Sequence, residues 1–143
     1  MRIYEPKTKE DFDRYYDLRW RLLRKPWNQS KGSEKDDLED KSIHVMVCEK
    51  DRIPIGVGRA QFNSCDEAQI RYMAVEEDHQ GNGFGSLVLQ ELEKRVKENN
   101  AKYVILNARE FAVDFYKKYG YRIVGKSYTL FGSINHLKMR KDL

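Results

Sequence analysis

The chain has 143 residues, which is typical of one domain and too few for a dinucleotide-binding half joined to a separate substrate half. Hydrophobic residues make up 40%, charged residues 35% and aromatic residues 12%, which excludes a disordered chain and indicates a folded domain with a highly charged surface. The 27 basic and 23 acidic residues give a net charge of +4, and their signs alternate along the chain, which disfavours a nucleic-acid-binding domain with a basic stripe.

The sequence carries no recognisable targeting or metal-binding signal. It starts MRIYEPKTKEDFD, without the apolar core of a signal peptide, and no apolar run approaches the roughly 18 residues of a membrane span. Cys48 and Cys65 form neither a CxxC pair nor a zinc-ligand spacing. We therefore expect free thiols, a cytoplasmic location, and no metal, membrane or nucleic-acid partner.

The first half of the chain predicts one helix followed by an antiparallel meander. After an extended start over residues 2–5, Thr8 and Asp11 resemble a capping box, with Asp in place of the usual Glu or Gln. Apolar residues then recur at helical spacing up to Pro26, and residues 27–41 form a polar loop. Short turns separate the next three strand-like runs, which span residues 43–48, 55–62 and 68–75.

The second half predicts a β-α-β unit and two closing strands. A helix over 84–99, a buried strand over 103–106 and a helix over 111–119 lead to closing strands at 121–125 and about 128–139. The crossover makes the third meander strand and the strand over 103–106 parallel within an otherwise antiparallel sheet. The sequence thus predicts an α+β fold in a single domain covering residues 1–143.

A glycine-rich segment lies between the third meander strand and the following helix. It reads QGNGFGS over residues 80–86, and its glycines let the backbone turn sharply and bring N–H groups close to a ligand. Unpaired N–H groups and the positive end of the dipole favour an anion at a helix start. The segment predicts binding of a phosphate or pyrophosphate, and a plain tight turn into a helix is the alternative.

Two other nucleotide-binding patterns fail on their context. A dinucleotide motif that begins at Gly81 and Gly83 needs a third glycine at position 86, where Ser86 stands. Residues 120–127, GYRIVGKS, match the letters of a P-loop, but they follow a predicted helix and run into a predicted strand. A P-loop follows a strand and opens a helix, so we interpret this match as chance.

Two segments together resemble the GCN5-related N-acetyltransferase (GNAT) superfamily. The family's phosphate signature, Gln or Arg, two residues, Gly, one residue, Gly or Ala, matches Gln80, Gly83 and Gly85. Residues 112–121, AVDFYKKYGY, resemble its fourth-helix signature, and QIRYMAV, LNAR and INHLKMRK resemble a bacterial branch. The resemblance implies a mostly antiparallel sheet with one parallel pair, helices on both faces, and acetyl-coenzyme A (acetyl-CoA) as donor.

The resemblance also implies which residues hold acetyl-CoA. In the family, the strand that carries Met73, Ala74 and Val75 splays from its parallel neighbour and pairs with the amides of the pantetheine arm. The pyrophosphate is held by the turn that follows, here Gln80, Gly81, Asn82, Gly83, Phe84, Gly85 and Ser86.

Acetyl transfer to an amine needs a base for the amine, a donor to the oxyanion and an acid for the departing thiolate. Tyr116 matches the family's tyrosine that protonates the coenzyme A sulfur. The base is open: Gln69 stands where some members have a glutamate, which leaves His136, His44 or a water chain. A histidine suits proton removal at neutral pH because its ordinary pKa is about 6.5.

The acceptor is the least determined part of the reaction. Carboxylates in the loop at positions 34, 36, 37, 39 and 40 predict a cationic acceptor, a small amine or a lysine-like group. Arg109 stands where the family often has Asn, and it fits a phosphate, a substrate carboxylate or a pairing with Glu110 or Asp114. A non-catalytic acyl-CoA-binding module is the alternative function. A homodimer is expected by analogy with the superfamily.

Overall fold

The predicted order of helices and strands is present in a computed structural model that describes residues 2–143. The elements of these residues are β1 (Arg2–Tyr4), α1 (Lys9–Leu23), β2 (Ile43–Cys48), β3 (Pro54–Phe62), β4 (Glu67–Val75), α2 (Phe84–Glu98), β5 (Tyr103–Arg109), α3 (Val113–Lys118), β6 (Arg122–Leu130) and β7 (Ile134–Asp142). The strands form one sheet in the order β1-β2-β3-β4-β5-β7-β6. Within the described residues only β4 and β5 pair in parallel, as the crossover predicted.

The predicted boundary between the two closing strands is wrong. The chain does not turn at 126–127: β6 runs on to Leu130, and the hairpin turn lies at Phe131–Ser133. Two register shifts in the β6–β7 ladder absorb the irregular stretch around Gly125 as bulges. The P-loop-like letters therefore lie mostly in an antiparallel strand, where no helix start follows them.

The helix α1 begins at the predicted capping box. The Thr8 hydroxyl accepts the Asp11 N–H at 3.0 Å, and the Asp11 carboxylate accepts the Thr8 N–H at 3.4 Å. Two unpaired donors of the first turn are thereby satisfied. The apolar face of α1 buries Tyr15 and Leu18 completely against one side of the sheet.

The helix α2 packs against the other side of the sheet. Its residues Val88, Leu89, Leu92 and Val96 are fully buried with the alternate side chains of β2 and β3. A Cβ at Gly58 would lie 2.6 Å from Val88 Cγ1, so the glycine permits this close approach. Helices therefore cover both faces of the sheet. No helix within residues 2–143 is both long and apolar enough to cross a membrane.

Strands β4 and β5 separate after their first four residues. Residues 67–70 pair with residues 103–106, and the rest of β4 has no partner on that side. On its other edge, β4 bulges, because Tyr72 and Met73 together lie opposite Gly58 of β3. Tyr72 has a φ of +58°, a left-handed conformation that is uncommon for an aromatic residue. The bulge and the separation open a cleft at the carboxyl ends of the two parallel strands.

Candidate active site

The cleft between β4 and β5 has a volume of about 590 Å³, within the range of small-molecule sites. Its walls come from the end of α1, the second half of β4, the glycine-rich turn, the end of β5, α3 and the closing hairpin. Parallel strands place their carboxyl ends at one edge of a sheet, and this is where ligands of such sheets bind.

The glycine-rich turn presents free backbone N–H groups. Gly81 and Gly83 have φ values of +81° and +86°, and Gly83 is the N-cap of α2. The first bond of the helix runs from the Leu87 N–H to the Gly83 carbonyl, so the N–H groups of Phe84, Gly85 and Ser86 precede it. The first turn of α2 carries no acidic side chain. The turn can therefore bind an anion.

The edge of β4 that faces the cleft is free from Arg71 to Val75, where the sequence predicted it. Ala74 and Val75 pair only with Val57 and Gly56 of β3. The Gln80 carboxamide donates to the Val75 carbonyl at 3.0 Å and so ties the turn to the end of this strand. An extended chain with amide groups can pair with such an edge.

The short helix α3 places Tyr116 in the cleft. The neighbouring ring of Phe115 packs against Gly85, which holds α3 on the glycine-rich turn. Burial raises the pKa of Tyr116 to about 12, opposed in part by the positive charge of Arg109. Within the described residues its hydroxyl makes no hydrogen bond. Tyr116 is therefore a protonated phenol with its proton available to a ligand.

His136 lies in the same cleft, opposite Arg109 in the β5–β7 ladder. Its ring stacks on Tyr128 with 4.5 Å between ring centroids, and its Nδ1 lies 3.0 Å from the Ile134 carbonyl. Because a carbonyl only accepts, Nδ1 carries the hydrogen and Nε2 keeps its lone pair. Burial, together with the charge of Arg109, lowers the pKa of His136, and the backbone carbonyls of Ile134 and Tyr128 oppose this in part. The ring is neutral at pH 7 and able to accept a proton.

His44 is not suited to be the base. It is buried outside the cleft, and both its ring nitrogens are engaged: Nδ1 lies 2.8 Å from the Tyr15 hydroxyl and Nε2 lies 2.7 Å from the Glu39 carbonyl. Burial lowers its pKa. The geometry assigns this histidine a structural role, because neither nitrogen is free for a substrate.

The loop carboxylates that predicted a cationic acceptor lie outside the cleft between β4 and β5. Glu39 pairs with Arg19 at 3.0 Å and with Arg59 at 2.7 Å, and both arginines are completely buried. Asp36 pairs with Arg59 and with Arg71. These carboxylates neutralise arginines of the protein, and neither lines the cleft between β4 and β5.

Sequence reasoning missed Arg24 and Tyr128, which also line the cleft. Arg24 follows α1 and was one basic residue among 27. A signal was nevertheless present. The basic residues Lys9, Arg14 and Arg21 of α1 each pair with an acidic residue four positions away, whereas Trp20 and Asn28 occupy those positions around Arg24.

The fold and the cleft together define an acyl-CoA N-acyltransferase architecture of the GNAT type. The model of the acetyltransferase (GNAT) domain matches residues 25–143. The chain belongs to the GNAT acetyltransferase family, as the two sequence signatures predicted.

Relatives and solved structures agree with this assignment. The chain is 32% identical over 142 residues to the uncharacterised N-acetyltransferase YjcF of Bacillus subtilis, covering 99% of this chain and 100% of that protein. It is 31% identical over 116 residues to the ribosomal protein bS18-alanine N-acetyltransferase of Haemophilus influenzae, covering 80% and 77% of the two chains.

Two similar folds were solved with a ligand. An aminoglycoside 6'-N-acetyltransferase complexed with coenzyme A has a TM-score of 0.84 at 20% identity, covering 99% of this chain and 97% of its own. A GNAT family acetyltransferase from Elizabethkingia anophelis with acetyl-CoA bound has a TM-score of 0.76 at 17% identity, with the same coverage. At these identities the likeness establishes the fold.

Proposed function

We propose that this protein transfers an acetyl group from acetyl-CoA to a primary amine, by direct attack of the amine in a ternary complex. The observation that carries the proposal is the continuity of three features along one cleft: the free N–H groups at the start of α2, the free edge of β4 and the unpaired hydroxyl of Tyr116. These features fit the pyrophosphate, the pantetheine amides and the thioester sulfur, in that order.

Donor binding follows from backbone geometry. The N–H groups from Gly81 to Ser86 bind the pyrophosphate, since they point from a helix start that carries no competing carboxylate. Backbone groups of Met73, Ala74 and Val75 pair with the pantetheine arm. A free N–H on the same edge donates to the oxyanion that forms on the acetyl carbonyl.

Proton transfers are assigned to the two side chains that line the cleft. Nε2 of His136 accepts a proton from the acceptor ammonium, because only the neutral amine has a lone pair that attacks the acetyl carbon. A C–N bond forms and the C–S bond breaks. The Tyr116 hydroxyl donates its proton to the departing sulfur, so that the thiol of coenzyme A and the N-acetylated amine are released.

The first test separates binding from chemistry. Calorimetry with acetyl-CoA measures donor binding, and thiol release with a panel of amines measures transfer. We expect Tyr116→Phe to bind acetyl-CoA with unchanged affinity and to lower kcat about 100-fold, because general acid catalysis contributes at least that factor. Tyr103→Phe is the control, since this tyrosine contacts Glu67 and does not line the cleft.

Two results contradict the proposal. If acetyl-CoA does not bind to the wild-type protein, the anion-binding role of the turn is wrong. If it binds and no amine is acetylated, the protein is a non-catalytic acyl-CoA-binding module, the reading that Gln69 in the place of a strand glutamate favours. The cytoplasmic location and the homodimer remain predictions from the sequence.

A further inference from the structure

Two arginines in the cleft lack a carboxylate partner within residues 2–143. Arg24 follows α1 and Arg109 ends β5, and neither forms an ion pair. Both donate to one backbone oxygen: Arg24 Nη1 lies 3.1 Å and Arg109 Nη2 lies 3.3 Å from the Leu23 carbonyl. Two half-buried positive charges therefore converge at one wall of the cleft. Burial lowers the pKa of both guanidinium groups, and the charge of Arg24 lowers that of Arg109 further; both stay charged at neutral pH.

The rest of the fold treats its buried arginines differently. Arg19 and Arg59 share Glu39, and Arg71 pairs with Asp36. Each of these three guanidinium groups has a carboxylate partner, as the high cost of burying an unpaired charge requires. Three arginines line the cleft: Arg71 has Asp36 as its partner, whereas Arg24 and Arg109 have no carboxylate partner within the described residues.

The pair keeps donors free for a ligand. Arg24 uses Nε and Nη1 on the carbonyls of Ser33 and Leu23, and Arg109 uses only Nη2. Arg24 Nη2 and Arg109 Nε and Nη1 have no protein acceptor within the described residues. A guanidinium with two free N–H groups matches the geometry of a carboxylate or phosphate.

The pair lies away from the donor's phosphate site. Its neighbours are Tyr72, at the β4 bulge, and His136 with Tyr128. The anion-binding turn follows Val75, at the other end of the free β4 edge. The thioester would lie between the two, since Tyr116 also adjoins Arg109. The pair therefore lies at the opposite end of the free β4 edge from the turn, on the side that a donor bound at the turn leaves open.

We propose that the acceptor amine carries an anionic group, a carboxylate or a phosphate, which Arg24 and Arg109 bind. This inference rests on the proposed function and replaces the cationic acceptor expected from the acidic loop. The same two charges assist the reaction, because nearby cations disfavour the protonated form of the amine and so favour the nucleophile.

The test measures product binding and so needs no turnover. With coenzyme A present, N-acetylglycine and N-acetyl amino acids of longer chain are titrated by calorimetry against their carboxamides, and N-acetylphosphoethanolamine is titrated against N-acetylethanolamine. We expect at least one anionic product to bind about tenfold more tightly than its neutral counterpart, the scale of one charge-assisted hydrogen bond. The two arms distinguish a carboxylate from a phosphate.

Variants then assign the preference to the pair. Arg109→Gln and Arg24→Gln should each reduce the preference at least fivefold and leave the affinity for acetyl-CoA within twofold. Arg122→Gln, which removes the same charge from an exposed position of β6, should retain both. Arg109→Lys should bind the anion with intermediate affinity, because it keeps the charge and loses the two-pronged geometry.

Failure of this inference differs from failure of the proposed function. If the wild-type protein binds acetyl-CoA and prefers no anionic product, the anionic acceptor is wrong and the transferase proposal stands. If the arginine variants lose affinity for acetyl-CoA instead, the pair belongs to the donor site, which also overturns the inference. The wild-type comparison alone decides the first question, even where a variant does not fold.

Discussion

Two histidines of the same sheet differ in chemistry because their ring nitrogens have different partners. His44 has a neighbour at 2.7 Å on one nitrogen and at 2.8 Å on the other, which leaves no lone pair for a substrate. His136 uses one nitrogen on the Ile134 carbonyl and faces the cleft. Tyr116, Arg24 and Arg109 likewise have hydrogen-bond donors without a protein acceptor within the described residues, and these donors indicate where a ligand binds.

A pH profile tests His136. Its pKa is lowered by burial, so kcat/KM should rise with pH through an acid limb that lies below pH 6.5, where the imidazolium loses its proton. Below this limb the protonated ring cannot accept the amine proton, and above it the neutral ring can. The acceptor amine titrates at higher pH, so the two limbs are separate.

The control is His136→Gln, which removes the titrating group. We expect this variant to lose the acid limb and about 100-fold in kcat/KM, with unchanged affinity for acetyl-CoA. An acid limb that persists in the variant would assign proton removal to a water chain.

At the scale of elements, the junction of β4, the glycine-rich turn and α2 forms the donor site that we propose. The β4 bulge and the loss of pairing with β5 leave one edge of β4 free. Gly81 and Gly83, both with positive φ, then turn the chain into α2, whose first N–H groups have no partner in the helix. Phe115 of α3 packs onto this turn and holds it in place. The proposed donor site therefore needs the strand, the turn and the helix together.

Two glycine variants distinguish the need for a left-handed backbone from the need for room at the turn. Gly83→Ala forces an L-residue into the left-handed region at a cost of about 1–2 kcal/mol, so we expect acetyl-CoA to bind roughly tenfold more weakly. At Gly85 an added Cβ would lie 3.4 Å from Phe115 Cζ, an ordinary contact. Gly85→Ala should therefore bind acetyl-CoA within about twofold of wild type by calorimetry. Equal losses in both variants would contradict a conformational role for Gly83.

At the scale of the whole molecule, an ion-pair network joins α1, the loop and the sheet. Glu39 connects Arg19 of α1 with Arg59 of β3, and Asp36 connects Arg59 with Arg71 of β4. Asp36 stays ionised in this network. Burial raises its pKa, but the hydrogen bonds from Arg59 and the nearby positive charges outweigh burial and lower the pKa to about 2. The network fixes the loop against α1 and the sheet.

Removing the central carboxylate should destabilise the protein rather than weaken acceptor binding. Glu39→Gln leaves two fully buried guanidinium groups with one negative partner fewer, so we expect the free energy of unfolding in urea to fall by about 3 kcal/mol. Asp40→Asn is the control, because its exposed side chain makes the same charge change without a buried partner, and its stability should stay within about 0.5 kcal/mol of wild type. Equal stability of the two variants would contradict the role of the network.

Local patterns predicted most of the fold, and the donor half of the site stays a prediction from the same kind of pattern. The capping box at Thr8, the apolar spacing of α2 and the short turns of the meander each depend on residues close in sequence, and each is present. The split of the closing strands was wrong, because Gly125 looked like a turn and is a bulge inside β6. Whether a glycine ends a strand or is absorbed by it depends on the ladder formed with a partner strand.

The acceptor half could not be predicted, because it depends on pairings between distant residues. Loop carboxylates and arginines are all charged in the sequence, and only the fold decides that Glu39 is 3.0 Å from Arg19 while Arg109 has no carboxylate partner within residues 2–143. The same holds for His44 and His136: the sequence put His136 before His44 as a candidate base, and only the fold shows that both ring nitrogens of His44 have protein partners.

The sequence by itself determined the element order, the GNAT signatures and the glycine-rich turn before α2, since spacing, capping and glycine conformation act over a few residues. The tertiary structure alone decided which charges are neutralised and which face the cleft. Electrostatic roles depend on distance and burial, and residues 15 to 86 positions apart, such as Glu34 with Arg19 or Arg109 with Leu23, come together only when the sheet and its helices have assembled.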